Sequence, residues 1–354
     1  MRLLPIEASE LILLIALSLS TYIHRSPHTH RPSPSVSTPR LAELMFETFQ
    51  VPALFLSKDA VLNCYACGRT TGLVIDIGAS GTVITPVSDG WVESKGIIRS
   101  AVGGRLMDAK MLDLLGKKSL PPTALHPLYR LRAGSSSGGS GSGAGSAHPT
   151  YEAMMRLELA RGCKEAVCRM ADTSVAENEA KFSSFPNLSY ELPDGTVVQA
   201  GLDRFLVSEM VCDPSSIASG DFPLADLETL GLNHGRQDAP PCNTETGIPR
   251  LICDSTVRCD GEIQHSMTAN MVVAGGGSAF EGLPERVKME VEKIVHASAP
   301  TWKIKAVAPA VGERALCAWL GGSILASLGN FGELIMTKAE YNEYGGALVE
   351  RKCP

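Results

Sequence analysis

Apolar residues recur at helical spacing in several stretches of the chain. Leu41, Leu44, Met45 and Phe49 fall on one helical face, and Val287, Val291, Ile294 and Val295 on another. Pro284 stands in the first turn of the second, where its missing N–H is no loss. Met154, Met155, Leu157, Ala166, Val167 and Met170 predict a long helix over residues 151–171, with Gly162 as its weak point. Other apolar runs lack that period. Residues 51–56 predict a short buried strand with Pro52 near its start, where a strand tolerates proline. Residues 60–66 predict a helix closing at Gly68. Residues 73–77 and 82–84 flank a glycine turn and predict a hairpin, and residues 271–274 predict a further strand. Strands and helices are mixed along the chain and no long repeat is present, so an α/β fold is expected.

Three stretches break this texture. Residues 1–39 contain a short apolar run followed by a segment rich in His, Pro, Ser and Arg. The run has the length of a signal-peptide core, but Glu7 and Glu10 precede it where a basic segment is required. A disordered tail, or sequence from a displaced translation start, is the expectation. Residues 133–147 are almost entirely Gly, Ser and Ala and predict a flexible insertion. Residues 212–249 are dense in Asp, Ser, Gly, Pro and Asn and predict a third irregular stretch.

Composition narrows the function classes. With 354 residues, 44% hydrophobic and 20% charged, the chain can bury a large core. A net charge of −6 argues against direct, charge-driven DNA binding, and 5% aromatics argue against a base-stacking platform. No apolar run is long enough to span a membrane. The ten cysteines are scattered, which predicts free thiols rather than a disulfide framework. Cys64 and Cys67 form a CxxC without a partner pair at zinc spacing, so semi-buried thiols are expected there.

Candidate chemistry gathers at glycine turns that follow apolar strands. In Asp76-Ile77-Gly78-Ala79-Ser80-Gly81 the turn amides can face phosphate oxygens, and Asp76 can hold hydrated Mg²⁺. By itself the segment is an ordinary hairpin. Gly275-Gly276-Gly277, between a strand and the Pro284 helix, suits a nucleoside or phosphate lying against backbone. It is neither a dinucleotide fingerprint nor a P-loop. Around Gly321 and Gly322 the small residues predict close helix packing.

These segments, in this order, resemble the actin family, and the resemblance covers most of residues 40–354. Leu41 through Ala53, the segment around Gly68-Arg69-Thr70-Thr71-Gly72, Gly103-Gly104-Arg105, Lys164-Glu165, Ala269-Asn270 and residues 321–328 carry it. Within the family, Ser327-Leu328-Gly329-Asn330-Phe331, residues 190–195 and the terminal Glu350-Arg351-Lys352-Cys353-Pro354 are similar to the nuclear actin-related protein 4 (actin-like protein 6) class.

The resemblance implies the two-lobed fold common to actin, hexokinase and heat-shock ATPases, with much of the first lobe missing, because nothing in residues 1–39 matches the family's first phosphate loop. It implies a division into a non-family segment 1–39, a first-subdomain remnant (40–66 and 316–354), a third subdomain (67–102 and 230–315) and a fourth (103–229, containing the insertion 133–147). It implies nucleotide-binding positions at Asp76, Gly78, Lys164, Glu165, Gly275, Gly276 and Gly277, with ATP and Mg²⁺ as the ligand and Asp76 as the metal anchor through water. The family's water-orienting glutamine falls at Asp59 and its assisting histidine at Val83, while a basic residue beside the adenine is replaced by Ala315. No catalytic residue is therefore expected, and the chain should not be an enzyme. The implied role is a non-catalytic scaffold subunit of nuclear chromatin remodelling or histone acetyltransferase complexes. Its partners would be actin and the helical docking segment of a remodeller motor, with histones or chromatin reached indirectly. The alternative is a cytoplasmic, cytoskeletal actin-like protein that polymerises and hydrolyses ATP.

Overall fold

A computed structural model describes residues 12–17 as backbone, together with residues 38–118, 125–127, 129, 148–214 and 246–353. The insertion 133–147 and most of the stretch 212–249 lie outside the described residues.

Two sheets organise the molecule. The smaller has three strands in the order β1 (Ile12–Leu17), β2 (Ala53–Lys58) and β11 (Met336–Thr337). β1 pairs parallel to β2 along its whole length, so the expectation of a tail without structure needs correction at these six positions. An unbroken aliphatic run, with β-favouring Ile12 and Ile15, finds an open strand edge there. The larger sheet is mixed. Its path is β10 (Ala306–Val307), β9 (Met271–Ala274), β3 (Gly72–Ile77), β4 (Thr82–Ser88) and β5 (Trp91–Val92), with β6 (Ile98–Ser100) also pairing β4. β3 and β4 form the expected hairpin, with Ile77 opposite Thr82, and β9 runs parallel to β3 from about 190 residues away in sequence. A separate hairpin joins β7 (Leu188–Glu191) and β8 (Val197–Ala200).

The helices that matter here are α1 (Thr38–Glu43), α2 (Asp59–Ala66), α3 (Gly104–Lys118), α4 (Pro149–Val167), α5 (Asp203–Glu209), α6 (Ile248–Arg258), α7 (Leu283–His296), α8 (Cys317–Ala326) and α9 (Lys338–Tyr344); shorter turns connect them. α1 continues as a π-helical turn through Thr48. α4 stops four residues before the predicted end, and α6 begins inside the stretch expected to be irregular, with Pro249 in its first turn. α2 closes as expected: Gly68, at φ +66°, lets its own N–H reach the Tyr65 carbonyl at 2.9 Å and that of Arg69 reach Cys64 at 3.0 Å. Among the described residues no helix is long and apolar enough to cross a membrane.

The two-residue period of β3 sorts its side chains. Leu73, Ile75 and Ile77 enter the main core with Met271, Val273 and the apolar faces of α3, α4, α6 and α7. Val74 points the other way, into a cluster with Ala60, Val61 and Cys64 of α2. Asp76 is the next residue on that second face. α2 therefore lies between the sheets: its Leu62 packs instead with Phe55 of β2 and Leu325 of α8. Gly321 of α8 rests on the Leu62 carbonyl, where any Cβ would overlap backbone. The small residues of α8 thus serve close helix packing, as their pattern predicts.

Candidate nucleotide site

Both glycine turns are held by close backbone packing. Gly103 lies against the backbone of Gly78 and Gly81, at a separation that leaves no room for a Cβ. The N–H of Gly104 then donates to the Gly78 carbonyl at 2.9 Å, and that of Arg105 to Ala79 at 2.8 Å. The first turn of α3 is thereby fastened to the hairpin turn. The Gly78 N–H donates to the Gly81 carbonyl at 2.9 Å, so Gly78 shapes the corner rather than offering its own amide to a ligand.

On the neighbouring strand, Gly275 turns at φ +87° with its α-carbon against the Asp76 carboxylate and the Ile77 carbonyl. Only glycine fits that approach. Arg314, buried, fixes the turn from outside. Its Nη1 donates to the Ser278 carbonyl at 2.7 Å and its Nε to that of Pro309 at 3.1 Å, while its own carbonyl accepts from the Gly275 N–H at 3.0 Å. Burial holds the Arg314 guanidinium below its ordinary pKa.

A cavity of about 990 Å³ opens between these turns and α4. It lies at the upper end of the range of roughly 300–1,000 Å³ common for small-molecule sites. Lys164, Glu165, Gly276 and Gly277 line it, as does Ala315. Lys164 is buried, yet its Nζ lies 2.6 Å from Asp108 Oδ1 and donates to the Gly104 carbonyl at 3.3 Å. Burial raises the Asp108 carboxyl pKa, and the Lys164 ammonium counters the rise. Glu165 is exposed and accepts from Arg161 Nε at 2.9 Å. The wall carries three cations and three carboxylates: Lys164 pairs with Asp108 and Arg161 with Glu158 and Glu165, while Arg105 is exposed on it.

Asp76, Gly78 and Gly275 stand behind this wall rather than on it. Asp76 accepts from Asn63 Nδ2 at 3.4 Å, and burial pushes its carboxyl above the usual range despite that bond. Asp59 opens α2 one helical turn before Asn63, and Val83 faces Asp76 across the β3–β4 ladder. The predicted positions thus gather around one cleft. Its backbone walls and Lys164–Glu165 edge fit the base and sugar of a nucleotide. They do not supply the surplus positive charge that a triphosphate needs, and no group of three or more metal-ligating side chains exists among the described residues. A hydrated Mg²⁺ held through water by one carboxylate, the role expected of Asp76, requires no such group. Cys64 and Cys67 are free thiols and belong to no group of three or more potential metal ligands among the described residues.

Sequence reasoning missed Asn63, Asp108 and Arg314, the side chains that hold the predicted ones in place. Asn63 and Asp108 each left a trace, as a polar residue within an otherwise buried helix face that demands a partner.

Comparison with known proteins bears on the family of the chain. The actin family profile matches residues 32–354, reaching eight residues further towards the N-terminus than the resemblance noted above. Actin-related protein 4 of Oryza sativa subsp. indica is 36% identical over 320 residues, covering 89% of this chain and 68% of the relative. Actin-related protein 4 of Arabidopsis thaliana is 32% identical over 322 residues, with the same coverage of each. The SWI/SNF and RSC complexes subunit arp42 of Schizosaccharomyces pombe is 31% identical over 334 residues, covering 89% and 73%. With its mixed sheet, interlocked glycine turns and these matches, the chain belongs to the actin family.

Proposed function

We propose that this protein is a non-catalytic actin-related scaffold subunit of a nuclear chromatin-remodelling or histone acetyltransferase complex. The observation that carries the reading is its similarity, over 89% of its length, to a fission-yeast protein named as a subunit of the SWI/SNF and RSC complexes. The acidic net charge of −6 supports contact with chromatin through partner subunits or histones rather than bare DNA. Actin and a helical segment of a remodeller motor are the partners proposed for it.

The site chemistry supports the absence of turnover. Hydrolysis of a phosphoanhydride needs an oriented water and neutralised phosphate charge. By the family resemblance the water-orienting positions fall at Asp59 and Val83; a carboxylate there would repel phosphate oxygens, and valine moves no proton. Of the described cations on the wall, Lys164 is paired with Asp108 and Arg161 with Glu158 and Glu165, which leaves Arg105 alone to face the phosphates. A nucleotide, if held, would lie with its base and ribose along Lys164, Glu165, Gly276 and Gly277. It would act there as a packing element between the turns and α4.

Affinity purification of the tagged chain from nuclear extract tests the proposal. Recovery of a remodeller motor or acetyltransferase subunits together with actin is expected; recovery of cytoskeletal proteins alone overturns it. A phosphate-release assay separates the alternative ATPase. No turnover above background is expected, and turnover abolished by Asp76→Asn would overturn the non-catalytic part.

A further inference from the structure

The walls of the cleft spend much of their anion-binding capacity on the protein itself. Several amides around the two glycine turns already have partners. The Gly78 N–H donates to the Gly81 carbonyl, and those of Gly104 and Arg105 donate to Gly78 and Ala79. On the second turn the Gly275 N–H donates to Arg314, and that of Ser278 returns to the Gly275 carbonyl at 3.1 Å. A nest of free amides, the backbone device that suits a run of phosphates, is closed at these positions.

The cations divide unevenly. Lys164 is buried against Asp108 at 2.6 Å, with the Gly104 carbonyl as its second acceptor. Arg161 lies 3.7 Å from Glu158 and 2.9 Å from Glu165. Arg105 differs from both. Its side chain lines the cavity, is exposed, and has no ionic partner among the described residues. It stands in the first turn of α3, where the helix dipole favours an anion, and its own N–H fastens it to the hairpin turn at Ala79.

We propose that the cleft selects a nucleoside monophosphate over a nucleoside triphosphate, with Arg105 as the specificity-determining residue that binds the single phosphate. The proposal rests on the reading above that a base and ribose lie along Lys164, Glu165, Gly276 and Gly277. A phosphate monoester carries a charge of about −1.5 to −2 near neutrality. One guanidinium can hold such a group through two parallel hydrogen bonds. The further phosphates of a triphosphate find no second cation of that kind on the described wall. They meet paired cations, amides already spent, and the carboxylates Asp108, Glu158 and Glu165. Their hydration is lost there without replacement.

Calorimetric titration of the full chain with adenosine, AMP and Mg-ATP provides the test. AMP should bind most tightly, with Mg-ATP weaker by about tenfold or more. Arg105→Ala should weaken AMP by about tenfold, the loss of one charge-assisted contact, and leave adenosine unchanged. Asp108→Asn unpairs Lys164 and should narrow the gap between AMP and Mg-ATP. Wild-type binding of Mg-ATP as tightly as AMP overturns the selectivity and leaves a nucleotide site standing. An AMP affinity that Arg105→Ala does not change overturns the role of Arg105. Failure of all three probes to bind overturns the nucleotide reading itself, and this proposal with it. The wild-type titration decides even where Asp108→Asn fails to fold.

Discussion

The two sheets share one chain but are buried to very different extents. The larger is covered on one face by a continuous core that runs through α3, α4, α6 and α7, and on the other by α2. The smaller has three strands, and β2 divides its side chains between two separate clusters: Leu54 and Leu56 face Phe46 and Met336, while Ala53 and Phe55 face Leu325 and Phe331. α8 beside it keeps Trp319 and Ile324 exposed, as are Leu316 and Leu328 at its two ends, with Trp319 at 68% of its full accessible surface. Both regions have sound strand-forming sequence. What separates them is how much apolar surface neighbouring elements can cover, because burial is the main source of stability. The larger unit can hold costly polar groups inside, and the smaller is stabilised by capping and edge contacts.

Breaking a buried pair in the larger unit should have the largest effect. Arg286 of α7, almost fully buried, lies 3.0 Å from Glu209 at the end of α5 and also reaches the Ala171 carbonyl. Burial raises the Glu209 carboxyl pKa, and the Arg286 charge counters it. Arg286→Ala leaves that carboxyl without its cation, and a loss of about 3–5 kcal/mol is expected from urea unfolding. Gly321→Val acts on the seam between the units. Its new side chain must displace the α2 backbone at Leu62, so a loss of about 3 kcal/mol is expected.

A smaller effect belongs to the smaller unit. Glu340, in the first turn of α9, completes a capping box with Thr337 and lies 2.6 Å from Lys352. The Lys352 hydrogen bond, then the Thr337 N–H, hold its folded pKa below the ordinary 4.5. A depressed carboxylate stabilises the fold above its unfolded pKa, and that contribution fades as pH falls through the folded value. Glu340→Gln should therefore be destabilising near neutrality and converge on the wild type once the pH falls below the depressed folded value, as thermal melts across pH would record. Trp319→Ala, on the uncovered face of α8, should change stability by less than about 0.5 kcal/mol. A large loss there would mean that the smaller unit is covered after all, and the contrast between the two would fail.

The legible parts of the chain were those governed by short-range rules. Gly68 ended α2, Pro284 opened the helix that holds Val287 and Val291, and the Asp76–Gly81 turn gave a hairpin, because each depends on backbone geometry within a few residues. The strand at residues 12–17 was missed for the opposite reason. An aliphatic run without period pairs only where a free edge exists, and β2, about forty residues away, provides it.

The amino-acid order alone determined the elements, the family to which they belong, and the residue types present at the cleft, since local sterics and hydrophobic period act within a few residues. Only the folded arrangement decided that Lys164 is matched to Asp108, that Arg314 fastens the glycine turn, that Asp76 stands behind the cavity wall, and that Cys317 meets the Asn63 carbonyl from 254 positions away. Those pairings depend on which surfaces the two sheets bring together. Charge and thiol chemistry follow distance in space, which the linear order does not contain.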